Sequence, residues 1–238
     1  MAVKEFWFMS NNAYLNLLYL PFTFLSISYA ICGMILSWKL YLIPDVLLVI
    51  TYFIGHGVSA HYVNEAYSGK TLSTDKLRFA KNVGYGSLLV VIGLGVLLLY
   101  LVKWSVYLLL IGLLELAFII LYNHPKTKVM HSDSSVGVAV GALPALAGYF
   151  VSGEAPSFGV ILLALLCFLV VLLEIIPSRY IKGWKRKPTP LKVIFSDGSE
   201  EKIDLQALVK KPEDVIKVML GITYLLPVFL FVILYLKS

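Results

Sequence analysis

The stretch DVLLVITYFIGHGVSAHYVNEAYSGKTL, residues 45–72, begins as an apolar run and turns polar towards its end. Residues 45–54 have the composition of a membrane-spanning helix, and two histidines, an asparagine and a glutamate follow. Removing an ionisable group from water is costly, so such residues in a span favour a functional site over contact with lipid. The stretch therefore predicts a membrane helix that carries a polar site at one end.

The composition of the chain extends this prediction to the whole protein. The 238 residues are 59% hydrophobic and 14% charged, with a mean hydropathy of +0.85, whereas a soluble domain carries about a quarter charged residues. We expect an all-α polytopic membrane protein in contact with the lipid bilayer, with about seven transmembrane helices of roughly 20 residues each. The predicted spans are residues 13–37, 41–61, 83–102, 104–122, 135–152, 157–177 and 216–236.

The distribution of positive charges predicts the orientation, because cytoplasmic segments of membrane proteins carry an excess of lysine and arginine. With the N-terminus in the cytoplasm and seven spans, only Lys39, Lys103 and Lys237 of the 20 basic residues fall outside. We expect a cytoplasmic N-terminus, an outside C-terminus and a location in the plasma membrane of a prokaryote. Because topology accounts for the basic residues, a nucleic-acid partner is not expected.

A segment between the last two spans breaks the hydrophobic pattern. LKVIF and EEKIDL are short β-type runs joined by SDGS, and Asp-Gly between such runs is a hairpin signal. We expect a small cytoplasmic hairpin, on which a protein partner can dock, and a short helix around residues 205–210. The predicted organisation is a membrane bundle of six spans (1–177), a cytoplasmic basic segment with the β-hairpin insert (178–215) and the last transmembrane helix (216–238).

The first polar cluster lies at the end of span 2. His61 and Glu65 are four residues apart, and Asn64 falls between them in helical projection, so the three form a narrow polar stripe. His56 lies well off that stripe. A His–Glu pair at this spacing can hold a divalent cation or form a hydrogen-bonded pair that shifts the histidine pKa; a plain interfacial pair is the alternative.

The second cluster surrounds the turn between spans 4 and 5. Glu115, Tyr122 and Asn123 lie on one side of span 4, and Glu115 sits within the membrane, where it needs a partner that the sequence does not name. His131 and Asp133 open span 5. Asp133 can supply a metal ligand, or it can act, like the serine after it, as the N-cap of the helix.

The third cluster, EIIPSRYIKGWKRK (174–187), follows span 6. Glu174 and Ser178 share a helix face, and Arg179 can bind a phosphate or pair with Glu174. Lys182 and the basic residues after it suit anionic lipid headgroups or a diphosphate or other anion. The predicted orientation brings all three clusters to the cytoplasmic face.

The layout of these stretches resembles the UbiA superfamily of intramembrane prenyltransferases. NLLYLPFTFLSISYAICG (16–33) is similar to the first span of that family, and YNHPKTKVMHSDSSVGVAVGALPALAGYF (122–150) is similar to its passage from span 4 to span 5. AHYVNEAYSGKTL (60–72) stands where the first Asp-rich motif would be. The resemblance implies an all-helical bundle in which two Asp-rich motifs hold Mg²⁺ ions that bind an isoprenyl diphosphate on the cytoplasmic side.

Both motifs differ from the family pattern. Ala60, His61 and Asn64 occupy the positions of the Asn and the two Asp residues of the first motif, and Glu65 follows. EIIPSRYIKGWKRK replaces the second motif. The sequence is therefore similar to a divergent branch with degenerate Asp-rich motifs, in which histidine and basic residues replace most carboxylates.

The first functional hypothesis is a divergent UbiA-like prenyltransferase that acts on an isoprenyl (lipid) diphosphate at the cytoplasmic face. Cations can neutralise the charge of a leaving diphosphate, and His61 or Glu65, beside Asn64, is the expected acid/base group. The expected diphosphate-binding residues are Lys70, Arg78, Lys128, Arg179 and Lys182.

Two other hypotheses stay open. One is another metal-dependent lipid enzyme with a His/carboxylate site; Mg²⁺ is the metal that the resemblance implies, and Fe, Mn or Zn is the metal that such ligands suit. The second is a non-catalytic UbiA-like binding or complex subunit that uses the hairpin as its docking element. The predicted metal ligands are His61, Glu65, His131 and Asp133.

Overall fold

The computed structural model describes residues 17–69, 72–123, 127, 132–186, 191–194, 196–203 and 205–235. Within these ranges the chain forms seven helices and two short strands. The helices are α1 (Leu20–Leu36), α2 (Leu42–Ser68), α3 (Leu77–Leu101), α4 (Val106–Asn123), α5 (133–150), α6 (Phe158–Arg186) and α7 (Leu205–Tyr235).

The predicted class, an all-helical integral membrane protein, is confirmed for the bundle. Five helices, α2, α3, α4, α6 and α7, are long and apolar enough to cross a membrane. α1 is shorter, with 17 residues. The outward faces of the long helices carry large apolar side chains, such as Leu42 of α2, Leu89 of α3 and Phe158 of α6. Such faces suit contact with lipid rather than water.

Two helices extend beyond the apolar runs that predicted them. α6 continues through Pro177 to Arg186, and α7 begins at Leu205 and continues through Pro212. The prediction of a separate short helix around 205–210 is therefore wrong, because the polar turns at 205–215 continue directly into the last apolar helix. Polar residues lengthen a helix without adding to its hydrophobic signal, so hydropathy places these boundaries too far into the membrane.

α1 is the central helix, with 13 of its 17 residues buried. It crosses α5 at backbone contact distance. A Cβ atom on Gly33 would lie 2.0 Å from the carbonyl oxygen of Ala145, and one on Gly148 would lie 1.8 Å from that of Ala30. Glycine at both positions therefore permits the crossing, as in other tightly packed membrane helices.

Two helices contain π-helical segments, Phe53–Ala60 in α2 and Gly137–Ala142 in α5. Each segment presents a glycine to a neighbouring helix. A Cβ atom on Gly57 would lie 3.0 Å from the Thr23 side chain, and one on Gly141 would lie 2.6 Å from the Cys167 carbonyl oxygen. Such wide turns are frequent at functional sites, and the one in α2 contains His56 and lies beside Thr23 of α1.

The helices α1, α5 and α7 run in the same direction. Lys39, just after α1, forms a 2.6 Å ion pair with Glu154, just after α5. Tyr235, at the end of α7, donates a hydrogen bond to the Ile35 carbonyl near the end of α1. The starts of these three helices therefore lie at the opposite end of the bundle, which we call the polar end and which includes Tyr19 and Asp133.

The strands β1 (Leu191–Ile194) and β2 (Glu200–Ile203) pair antiparallel, with Leu191 opposite Ile203. In the turn between them Gly198 has a φ of +83°, a conformation that favours glycine. Asp197 Oδ1 accepts hydrogen bonds from the backbone N–H and the hydroxyl of Ser199, which lower the pKa of this carboxyl.

Candidate functional site

The second and third predicted clusters meet at the polar end. Arg179, near the end of the apolar part of α6, forms a 2.6 Å ion pair with Asp133 at the start of α5. Its other terminal nitrogen donates to the hydroxyl of Tyr122 at the end of α4, at 3.4 Å. The Arg179 side chain is 39% exposed, and that of Asp133 35%. Three helices that are distant in sequence therefore join at one charged, accessible point.

The partners at this junction differ from two sequence-based expectations. Arg179 pairs with Asp133 and not with Glu174, whose carboxyl contacts Thr223 instead. The N-cap of α5 is Ser132, whose side chain accepts the Ser135 amide, so the capping role expected of Asp133 or the serine after it is wrong. The helix starts one residue earlier than expected, which leaves the Asp133 carboxylate in the first turn to bind the guanidinium.

The first predicted cluster lies at the same end of the bundle. The ring of His61 contacts the ring of Tyr19, with 5.1 Å between centroids. Tyr19 packs against the same apolar cluster as Tyr122, and this cluster includes Val136 and Ile181. The end of α2 is therefore linked through Tyr19 to the helices that carry Arg179 and its partners.

Glu65 has a defined structural contact. Its side chain is buried, and Oε1 accepts the backbone N–H of Leu72 at 2.7 Å. Gly69, with a φ of +54°, ends α2 and turns the chain towards Leu72. Asn64 lies half-buried beside Glu65. The stripe predicted at the end of α2 therefore includes a carboxylate that holds the following turn.

The predicted diphosphate-binding residues are only partly described. Arg78 is exposed in the first turn of α3, directly after the turn that leaves α2, and Arg179 lies at the junction above. Lys70 and Lys128 lie outside the described residues, as does the side chain of Lys182.

The described side chains do not by themselves form a metal site. In the part of the chain that the structure covers, no group of three or more His, Cys, Asp or Glu side chains is placed to hold a metal ion. Of the four predicted ligands, Glu65 accepts a backbone amide, Asp133 binds Arg179, and His131 lies outside the described residues.

Glu115 finds its partner in α2. His56 Nε2 lies 3.1 Å from Glu115 Oε2, and the Tyr52 hydroxyl donates to Oε1 at 3.2 Å. On the other side of the ring, His56 Nδ1 lies 2.8 Å from the Ser26 hydroxyl of α1. With Nε2–H donating to the carboxylate, Nδ1 accepts the serine proton, so the four side chains form one continuous chain of hydrogen bonds.

Sequence reasoning set His56 aside and left Glu115 without a partner. One signal was available, because Tyr52 and His56 are four residues apart and project from one side of α2. Nothing in the spacing of the chain shows that this side faces Glu115, which is 59 residues away from His56.

Asn123 and Ser178 use their side chains within their own helices. Asn123 Nδ2 donates to the Ile119 carbonyl, and the Ser178 hydroxyl donates to the Glu174 carbonyl. Both side chains are buried. They therefore satisfy backbone groups, whereas Arg179, Tyr122, Asp133 and Arg78 are among the described polar groups that reach the surface at this end.

The polar residues thus form an accessible ion pair of Arg179 and Asp133 at the polar end and hydrogen-bonded groups in the interior. Within this junction, the Arg179 guanidinium is the group that can bind an anion. Comparison with protein-family models, with curated proteins and with solved structures gives no match to this chain.

Proposed function

We propose that the protein is a divergent UbiA-like membrane prenyltransferase that binds an isoprenyl (lipid) diphosphate at its polar end. In this proposal the seven helices span the membrane with the N-terminus and the polar end at the cytoplasmic face. The observation that carries the proposal is the contact of Arg179 with Asp133 and Tyr122, because it sets a partly exposed guanidinium where α4, α5 and α6 meet.

The chemistry of this junction suits a diphosphate. A guanidinium presents its N–H groups in a planar fork that matches phosphate oxygens, and charge-assisted hydrogen bonds of this kind are strong. Asp133 and Tyr122 hold the guanidinium in one orientation, so little side-chain entropy is lost when an anion binds. Arg78 at the start of α3 adds a second cation on this side of the protein.

Cleavage of the bond between the prenyl group and the diphosphate develops negative charge on the leaving group. Fixed cations at that position stabilise the charge as it forms. His61 is the proposed acid/base residue, with Asn64 beside it, since Glu65 is occupied by the Leu72 amide. The apolar tail of the substrate would lie among the apolar helix faces of the bundle. A divalent metal stays a prediction, and no step of this proposal depends on it.

The test is ligand-dependent stabilisation of the full chain in lipid nanodiscs. We expect isoprenyl diphosphates to raise the Tm, by the equivalent of about 2.7 kcal/mol at a ligand concentration near 100 times Kd, and the matching prenyl alcohols to leave it unchanged. Arg179→Gln should remove this shift. Lys39→Gln, which breaks the ion pair at the other end of the bundle, is the matched control and should keep it.

Two results would contradict the proposal. One is an unchanged Tm with every chain length of diphosphate, and the other is an equal shift in the wild-type protein and Arg179→Gln. If Arg179→Gln does not fold, Arg179→Lys keeps a charge without the planar fork, and it should bind the diphosphate more weakly. With an acceptor present to take the prenyl group, release of inorganic diphosphate then measures the reaction itself.

A further inference from the structure

A second carboxyl group, that of Glu174, lies in the interior of the bundle, and its hydrogen-bond partners differ from those of Glu115. It belongs to the span Phe158–Ile181 of α6, and no part of its surface is exposed. Oε1 accepts a hydrogen bond from the Thr223 hydroxyl of α7 at 3.1 Å. Oε2 is buried and has no hydrogen-bond partner among the residues that the structure describes.

The hydroxyl group of Tyr29 in α1 is a second buried polar group near Glu174. Tyr29 is fully buried, and it lies close enough to interact with Glu174 and Thr223. Its hydroxyl makes no hydrogen bond of standard length within the described part of the chain. A buried polar atom without a partner costs free energy, and here two interacting side chains, Tyr29 and Glu174, each have such an atom.

Among the residues that the structure describes, Glu174 has no cationic partner. The titratable groups that interact with this site are Tyr29 and Cys32 from α1, Cys167 from α6 and Tyr224 from α7, all uncharged at neutral pH. Among the described residues, no lysine, arginine or histidine forms an ion pair with Glu174. An unpaired carboxylate in a membrane interior is expensive, so these surroundings favour the uncharged acid.

Glu115 provides the comparison within the same bundle. It is also buried, but it receives hydrogen bonds from His56 and Tyr52. Such donors stabilise a carboxylate in place of water. Among the described residues, Glu115 therefore has two hydrogen-bonding partners, one of them basic, whereas Glu174 has one hydroxyl donor.

We infer that Glu174 is an intramembrane proton-binding site, in which the neutral acid is held between α1, α6 and α7. A proton on the Glu174 carboxyl removes the charge that the three helices would otherwise enclose. Loss of that proton leaves a buried charge between three helices, so its release requires α6 to loosen from α1 and α7. The inference does not depend on the proposed diphosphate site.

A proton is the occupant that fits this site. Glu174, Tyr29 and Thr223 are all at least nine-tenths buried, so water does not reach their polar atoms. A metal cation such as Na⁺ needs several oxygen ligands around a space of its own. The site instead has one carboxyl group with the Thr223 hydroxyl bonded to it, and the Tyr29 side chain nearby.

The test uses dicyclohexylcarbodiimide, an apolar reagent that adds to protonated carboxyl groups. The wild-type protein in nanodiscs is treated at a series of pH values, and the adducts are located by mass spectrometry of peptides. We expect labelling of Glu174 at neutral pH, with a decline as the pH rises. Glu115 is the internal control, and we expect it to stay unlabelled because His56 and Tyr52 occupy its two carboxyl oxygens.

Three outcomes would overturn the inference: no label on Glu174 at any pH, equal labelling of Glu115 and Glu174, or protection of Glu174 by Na⁺, which would indicate a metal cation site. A second measurement follows the Tm against pH. Because the folded state holds the proton, the wild-type Tm should fall as the pH rises, and Glu174→Gln, which cannot ionise, should lose that part of the dependence. Identical pH profiles would also overturn the inference.

Discussion

At the scale of single residues, the role of each interior polar group depends on the group that it contacts. Glu65 was predicted as part of a functional stripe, and the structure shows its carboxylate bound to the Leu72 amide. Both roles suit a carboxylate at the end of a span. They differ in what they require, since the contact with Leu72 needs only an acceptor oxygen, whereas acid/base chemistry needs an ionisable group.

Glutamine at position 65 separates these roles. Glu65→Ala should lower the free energy of unfolding by about 1–3 kcal/mol, because it leaves a buried N–H without a partner. Glu65→Gln keeps an acceptor oxygen and should stay close to the wild-type stability. If Glu65 also serves as an acid or base, Glu65→Gln should lower kcat more than it changes KM. Equal stability losses in both variants would argue against the hydrogen bond to Leu72.

Substitutions that break the contact between His56 and Glu115 should be among those that destabilise the protein most. His56→Ala removes one partner and leaves a buried carboxylate with only Tyr52 as donor, so we expect a loss of about 3–5 kcal/mol in unfolding free energy. Glu115→Gln, which removes the charge and keeps an acceptor, should cost less. Reversible unfolding in mixed detergent micelles measures both values, and a loss below 1 kcal/mol in His56→Ala would show that the pair is not needed for folding.

At the scale of elements, the closest contact is the crossing of α1 and α5. The Gly-rich pattern of α5 predicts close packing, but several other glycines have no neighbour. A Cβ atom on Gly93 of α3 would meet nothing within 4 Å, whereas one on Gly148 would meet the Ala30 carbonyl at 1.8 Å. Glycine therefore permits a close helix contact at position 148 of α5, whereas at position 93 of α3 it makes no such contact.

Alanine substitution tests this difference. Gly148→Ala should destabilise the protein by about 1–3 kcal/mol, because the obstructing atom belongs to the backbone and the two helices must move apart. Gly93→Ala is the matched control and should be neutral or stabilising by up to about 1 kcal/mol. Thermal unfolding of the two variants in the same lipid gives the comparison, and a similar Tm for both would contradict the packing of α1 on α5.

At the scale of the whole molecule, two ion pairs mark the ends of the bundle. Arg179 and Asp133 lie at the polar end, and Lys39 and Glu154 lie at the other. α5 connects the two pairs. If the charges follow the positive-inside rule, the polar end faces the cytoplasm and the Lys39 end faces outward.

Cysteine labelling tests this orientation. The two native cysteines, Cys32 and Cys167, are fully buried, so they should not react and can stay in place. A membrane-impermeant maleimide applied to intact cells should label Lys39→Cys, and it should label Arg78→Cys only after the membrane is permeabilised. The reverse pattern would place the polar end outside and exclude a cytoplasmic diphosphate site.

The amino-acid sequence by itself determined the class of the protein and the position of its helices along the chain. Apolar runs of this length need no tertiary information, since the cost of unpaired backbone groups in lipid makes each run a helix. The spacing of polar residues also indicated that polar side chains cluster at the ends of α2, α4 and α6.

Only the tertiary structure decided which polar residues meet. Arg179 had Glu174 within one and a half turns of its own helix, and it pairs with Asp133 on another. His56 binds Glu115, and Glu174 accepts a hydrogen bond from Thr223. The partner of a side chain depends on how each helix is rotated and where it crosses its neighbours. The rotation and crossing angle of each helix follow from the packing of several helices together, as in the glycine contacts between α1 and α5. The periodicity of a single helix does not determine them.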